Sequence, residues 1–260
     1  MDTGYLVPED SHISCANNPD TGVTEVSVHG SWDPQVRTAM AQTLRMCVAE
    51  TPRLLLIDVA RLSDPAGESL TTWQIAHQYA RERTPPVDVV MCAPTPRLRH
   101  RLSGTAGGVT IAVSLDAARA AGPRQPIWPQ RRTRPLPADP ASVRLARGMV
   151  RDLCDGLRLP RLRYPAQLII SELATNAVEH VRAAFGVAVT LRGDVLHLAV
   201  QDQARQLPRP AARPLRGQRP MRRGAGLWVV DAAATAWGAV HCGGGKIVWA
   251  TLAIGGKEMS

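Results

Sequence analysis

Glu172, Asn176 and His180 step by four along one stretch of the chain, and Asp202, Gly224 and Gly226 follow them in order. Around the first three, Ala166, Ile169, Ile170, Leu173 and Ala177 recur at helical spacing. This predicts a helix with one apolar face and with Pro165 as an early residue, where a missing N–H costs nothing. Glu172 and Asn176 then lie one turn apart at the border of that face. A carboxylate and a carboxamide so placed can address one hydrated cation. Mg²⁺ suits such a pair, because it takes oxygen ligands, keeps several waters and is usually shared with phosphates. The plainer reading of the same helix is a solvated polar border.

The next elements narrow the chemistry. Val187, Val189 and Leu191 alternate, Arg192-Gly-Asp194 reads as a turn, and Leu196, Leu198 and Val200 alternate again, so a β-hairpin is predicted. Asp202 keeps the parity of the second strand and is expected on the core-facing side. A buried carboxylate needs a partner. An adenine amino group would supply one, and so would backbone N–H groups in a turn. A Pro/Arg-rich stretch from Gln203 to Arg222 leads to Arg223-Gly-Ala-Gly-Leu227 and an apolar helical run to about Trp237. Glycines let backbone approach a phosphate, and helix-start N–H groups favour an anion. A Gly-x-Gly alone is more often a turn. Gly243 to Leu252 reads as a closing strand.

On these residues the region from about 134 to 254 resembles the ATP-binding domain shared by bacterial anti-sigma factor kinases, sensor histidine kinases and DNA gyrase, the Bergerat fold. The small serine-kinase anti-sigma regulators share the run Ser171-Glu-Leu-x-Thr-Asn-Ala-x-x-His180 and the ending Gly-Gly-Lys-x-Val-Trp. The resemblance implies an α/β sandwich with ATP and Mg²⁺ as cofactors. It implies Glu172 as general base, Asn176 as the Mg²⁺ ligand, Asp202 as the reader of adenine, and Gly224 and Gly226 at the edge of the ATP lid. The chain departs from the pattern in two places. Gln203, Ala204, Arg205 and Gln206 stand where glycines should follow the Asp, and Lys246 or Ile247 stands where the last strand carries a Thr.

The first half alternates strand and helix signals: strands at 23–28, 53–59, 87–92 and 109–113, helices at 34–49, 69–81, 96–102 and 115–121. Gly30-Ser-Trp-Asp33, Leu54-Leu-Leu-Ile-Asp58 and the ending Val113-Ser-Leu-Asp-Ala-Ala make residues 10 to 122 similar to a STAS domain, the fold of anti-sigma factor antagonists. That family carries Asp-Ser-Ser-Gly-Leu at a helix start, with its second Ser as phosphoacceptor. Here the matching stretch is Ala66-Gly-Glu-Ser-Leu70, which puts Glu68 on the acceptor position and Ser69 one residue later. Glu68 has two readings. It fixes the domain in a state resembling the phosphorylated one, since a carboxylate near a helix start is anionic like a phosphate. Alternatively the switch has decayed and Glu68 only caps a helix, or the register shifts by one and Ser69 serves as the acceptor instead.

The expected fold class is therefore two α/β (α+β) domains: a STAS-like domain over residues 1–121, a Pro/Arg-rich linker over 122–138, and a Bergerat-fold domain over 139–256. At 260 residues each half can bury its own core. No run approaches a membrane helix, and the N-terminus lacks a secretory profile, so a cytoplasmic address is expected. The formal charge of +9 raises the question of nucleic acid. However, the basic residues other than Lys246 and Lys257 are arginines, many of them in Pro-rich loops with few aromatics to stack on bases, and direct nucleic-acid binding is not expected. Five scattered cysteines without a Cys-x-x-Cys argue against a disulfide framework or zinc site.

Two functions fit. One is an anti-sigma-factor-type regulator of a partner-switching system, binding Mg-ATP and phosphorylating Ser/Thr of an antagonist. The other is a non-catalytic binding module that controls its partner by protein–protein interaction, with any bound ATP ordering the lid and setting partner affinity. Either way the expected partner is a sigma factor or an antagonist protein, and a homodimer is compatible with both.

Overall fold

A computed structural model describes residues 4–6, 12–18, 20–103, 109–124, 128, 130–208, 226–242 and 245–255. The chain is mixed α/β and divides into two compact units, one holding residues 5–127 and the other 128–260 with residues 1–4. A short strand β1 (Gly4–Leu6) precedes the first unit's main elements.

In the first unit, β2 (Ile13–Asn18) and β3 (Val23–Ser31) form an antiparallel hairpin. Then β4 (Leu54–Ser63), β5 (Asp88–Cys92) and β6 (Thr110–Ala112) add in parallel, giving the order β6-β5-β4-β3-β2. The crossovers are α1 (Pro34–Ala49), α2 (Leu70–Arg81) and α3 (Pro96–Ser103), and α4 (Leu115–Ala121) follows β6. Leu54 and Leu56 pack with Cys92 and Ala118 of α4, while Leu55 and Ile57, of opposite parity, are equally buried. A parallel strand covered on both faces reads as an unbroken apolar run, as Leu54-Leu-Leu-Ile57 does.

Helix starts follow their caps. Asp33 accepts from the N–H groups of Gln35 and Val36 at 2.8 Å each, with Pro34 next, and Ser114 accepts from Ala117 N–H at 3.1 Å. The sequence reading contains no β2, because Ser-Cys-Ala-Asn-Asn lacks the β-branched and aromatic residues that announce strands. Its register is fixed by a buried polar knot: Asn17 Nδ2 donates to both carboxylate oxygens of Glu50 at 2.8 Å and to Thr24 Oγ1 at 2.9 Å.

In the second unit, β7 (Arg131–Leu136), β8 (Phe185–Arg192), β9 (Val195–Asp202), β11 (Gly245–Ala253) and β10 (Ala236–Cys242) form an antiparallel sheet in the order β10-β11-β9-β8-β7. Helices α5 (Pro140–Gly156) and α6 (Pro160–Val181) pack on each other, and α6 also packs on β9, β11 and α7 (Gly226–Ala233).

Three expectations change here. The stretch read as linker contributes β7, whose Pro135 is tolerated because the strand lies at the sheet's edge. The long helix starts at Pro160, not near Pro165, so Pro165 sits inside it and the Arg161 carbonyl goes without that N–H partner. The apolar run after Gly226 stops being helical at Ala233, and Trp237 belongs to β10, which pairs with β11.

Ile169, Ile170 and Leu173 line the buried face of α6. Leu173→Ala is expected to lower stability by about 2–5 kcal/mol through the cavity it leaves, read as a shifted denaturant midpoint with unchanged slope.

Candidate functional site

The face of α6 that buries Ile169, Ile170, Leu173 and Ala177 leaves Glu172 and Asn176 half-buried at its border, one turn apart. Gly226 opens α7 against the first of them: a Cβ added there would stand 2.6 Å from Glu172 Oε2. With no side chain at 226, the start of α7 lies directly against the carboxylate. Burial pushes the Glu172 pKa up, and the negative charge of Glu179 adds to the effect. Glu172, Asn176 and Gly226 therefore share one end of the unit. Gly224 lies outside the described residues, as do Arg209, Arg213, Arg216, Arg219 and Arg222 of the Pro/Arg-rich stretch before it.

Asp202 is buried at the last position of β9. Across the ladder its register partner is Lys246, the second residue of β11. Lys246 Nζ donates to Asp202 Oδ1 at 2.8 Å, and the two side chains are only 9% and 4% exposed. The same oxygen accepts from Ala204 N–H at 2.8 Å. The strands meet closely at this point. A Cβ on Gly245 would overlap the Asp202 carbonyl oxygen and stand 2.8 Å from Gln203 Cα, so only glycine fits there.

Gln203, Arg205 and Gln206 are exposed. The departure that matters is therefore not the bulk after the Asp but the lysine in front of it. Sequence reasoning marked Lys246 or Ile247 as standing in place of a Thr. It did not find the ion pair, because only the β9–β11 register brings residues 44 positions apart face to face.

The donor set at the Glu172 and Asn176 end suits a hydrated Mg²⁺ and a phosphate. The Asp202 carboxylate, for its part, already holds the Lys246 ammonium.

In the first unit, the loop from Asp64 to Ser69 carries the other candidate residues. Glu68 is exposed. Ser69 is fully buried, and its hydroxyl donates to Asp64 Oδ2 at 2.5 Å while accepting from Trp73 Nε1 at 2.8 Å. Asp64 also accepts from the N–H groups of Glu68 and Ser69 at 3.0 Å each. From outside, Arg101 of α3 donates to the carbonyls of Ala66 and Gly67, and Arg97 to that of Pro65. Gly67 holds the left-handed turn, with φ at +72°. The loop and α3 border an open groove of about 660 Å³ lined by Asp64, Arg97, His100 and Arg101 among others.

Residues 136–252 match the family model described as histidine kinase-like ATPase domain. The second unit therefore carries a histidine kinase-like ATPase domain, a class that implies nucleotide binding. No curated protein matches the chain. Among solved structures, the RsbU and RsbW domains of Rv1364c from Mycobacterium tuberculosis are similar at 22% identity and a TM-score of 0.36, over 50% of this chain and 32% of that one. This chain thus spans about a third of that protein's length. An anti-sigma factor antagonist from Mycobacterium paratuberculosis is similar at 24% identity and a TM-score of 0.35, over 45% of this chain and 98% of that one. Among the described residues, no helix is long and apolar enough to cross a membrane and no cluster of His, Cys, Asp and Glu could hold a metal ion.

Ser69→Ala is expected to cost about 1–3 kcal/mol, because the Trp73 indole N–H is left buried without its acceptor. Burial alone would raise the Asp64 pKa, but the hydrogen bonds from Ser69, Glu68 and Gly67 outweigh it and hold the carboxyl below its usual value. A pKa lower in the folded state stabilises above the unfolded value of about 3.9 and fades as pH falls through the folded one. The stability gap between wild type and Asp64→Asn, followed by thermal melting, should therefore be full at pH 7 and close in acid below about pH 4.

Proposed function

We propose that this chain is a cytoplasmic regulator of the partner-switching type, in which a STAS-like unit is joined to a histidine kinase-like ATPase domain. It acts on a sigma factor or an antagonist protein by contact, as a non-catalytic binding module. The observation that carries this reading is the Asp202–Lys246 pair, which satisfies the base-reading carboxylate from within the protein. Two features of the STAS-like unit support it. Glu68, at the acceptor position, has no hydroxyl to phosphorylate, and the neighbouring Ser69 hydroxyl is buried between Asp64 and Trp73.

A second reading, a Mg-ATP-dependent Ser/Thr kinase acting on an antagonist, is favoured by Glu172. Burial raises its pKa and so makes it a better proton acceptor than an ordinary carboxylate, and Asn176 stands one turn away as the cation ligand.

Purified chain mixed with candidate antagonists and sigma factors separates the two. The contact reading expects partner binding by calorimetry to be the same with and without Mg-ATP, with no labelled γ-phosphate on the partner. Label on an antagonist serine, lost in Glu172→Gln, would replace it by the kinase reading.

A further inference from the structure

We infer that Lys246 is a resident substitute for the nucleotide base: its ammonium takes the place at Asp202 that the amino group of an adenine would fill, and so sets the domain's affinity for adenine nucleotides. The inference rests on the assignment of Asp202 as the base-reading residue.

The geometry makes Lys246 a strong competitor. It is presented by the ladder itself, since β9 and β11 pair without a register shift from Lys246↔Asp202 to Ala253↔Val195. Slipping the strand by one residue would turn every side chain to the opposite face, so Lys246 cannot move aside by sliding. Gly245, pressed against the Asp202 carbonyl, anchors the strand one residue before it. An adenine amino group is a neutral donor. Exchanging it for the ammonium would leave the buried carboxylate without its counter-charge and the lysine without its acceptor. Ala204 N–H remains on Oδ1 in either case. A nucleotide must therefore break a charge-assisted hydrogen bond to gain a weaker one. The route left open is displacement of Lys246 by rotation about its own side chain, which keeps the backbone of the site intact.

The lysine content gives a direct probe. Lys246 and Lys257 are the lysines of the chain, so a sample labelled on lysine carries two ammonium signals, assigned by Lys257→Arg. Titration with Mg-ADP is expected to show weak binding to wild type, with the Lys246 signal moving to the position of a solvated lysine. Lys246→Thr should bind Mg-ADP and Mg-ATP at least about tenfold more tightly by calorimetry, the size of one charge-assisted hydrogen bond no longer broken. The gain should vanish in Asp202→Asn/Lys246→Thr. Should Lys246→Thr fail to fold, Lys246→Gln replaces it and must still bind more tightly than wild type, because a neutral amide is easier to displace.

Equal or weaker binding by the folded variant overturns the inference, and so does nucleotide binding to wild type that leaves the Lys246 signal in place. If the variant's gain survives removal of the Asp202 carboxylate, the assignment of Asp202 as base reader is what fails. Tight binding by wild type with phosphate transfer to a partner defeats the non-catalytic reading, while the comparison with Lys246→Thr still decides the role of the lysine.

Discussion

The second unit depends on how α6 lies on its sheet. The helix buries Ala166, Ile169, Ile170, Leu173, Ala174 and Ala177, and it packs on β9, β11, α5 and α7. That packing fixes its rotation. Once those residues face inward, Glu172 and Asn176 are forced to the border, half in and half out of water. The raised pKa of Glu172 is a by-product of that placement, since desolvation is its first cause. The apolar face thus does two things at once. It supplies the burial that holds the unit together, and it aims the polar pair.

The same logic runs through the sheet. Leu196, Leu198, Val200 and Asp202 share one buried face of β9, whose other face also buries His197 and Ala199. A carboxylate at the end of such a row must be answered from nearby. In this chain the answer comes from the neighbouring strand. A domain can thus keep its scaffold and the polar border of its helix while a neighbouring strand decides what its buried strand-end carboxylate holds.

Much of this was legible in the sequence, and the failures have physical causes. The ends of α1 and α4 could be read because Asp33-Pro34 and Ser114 cap their starts. The β8–β9 hairpin could be read because its alternation is clean and Gly193 takes the left-handed turn. β2 and β7 could not. One is polar and is held by the Asn17–Glu50 knot, and the other is rich in Arg and Pro and tolerated only at an edge. Glu172, Asn176 and Asp202 stand out as candidates by type and spacing alone. Lys246 could not be paired with Asp202, because strand register is a property of the whole sheet. The burial of Ser69 was also invisible, since it depends on Trp73 one turn later and on Asp64 before it.

The loop that presents Glu68 is tied from within by Asp64 and from outside by Arg97 and Arg101. A surface carboxylate is ordinarily carried on a backbone that must give up freedom when another molecule grips it. Here that freedom was surrendered when the unit folded. A partner that recognises this position meets a rigid feature, and little of its binding energy is spent on ordering the loop. Recognition of that kind favours rapid, shape-selective docking over slow mutual adjustment.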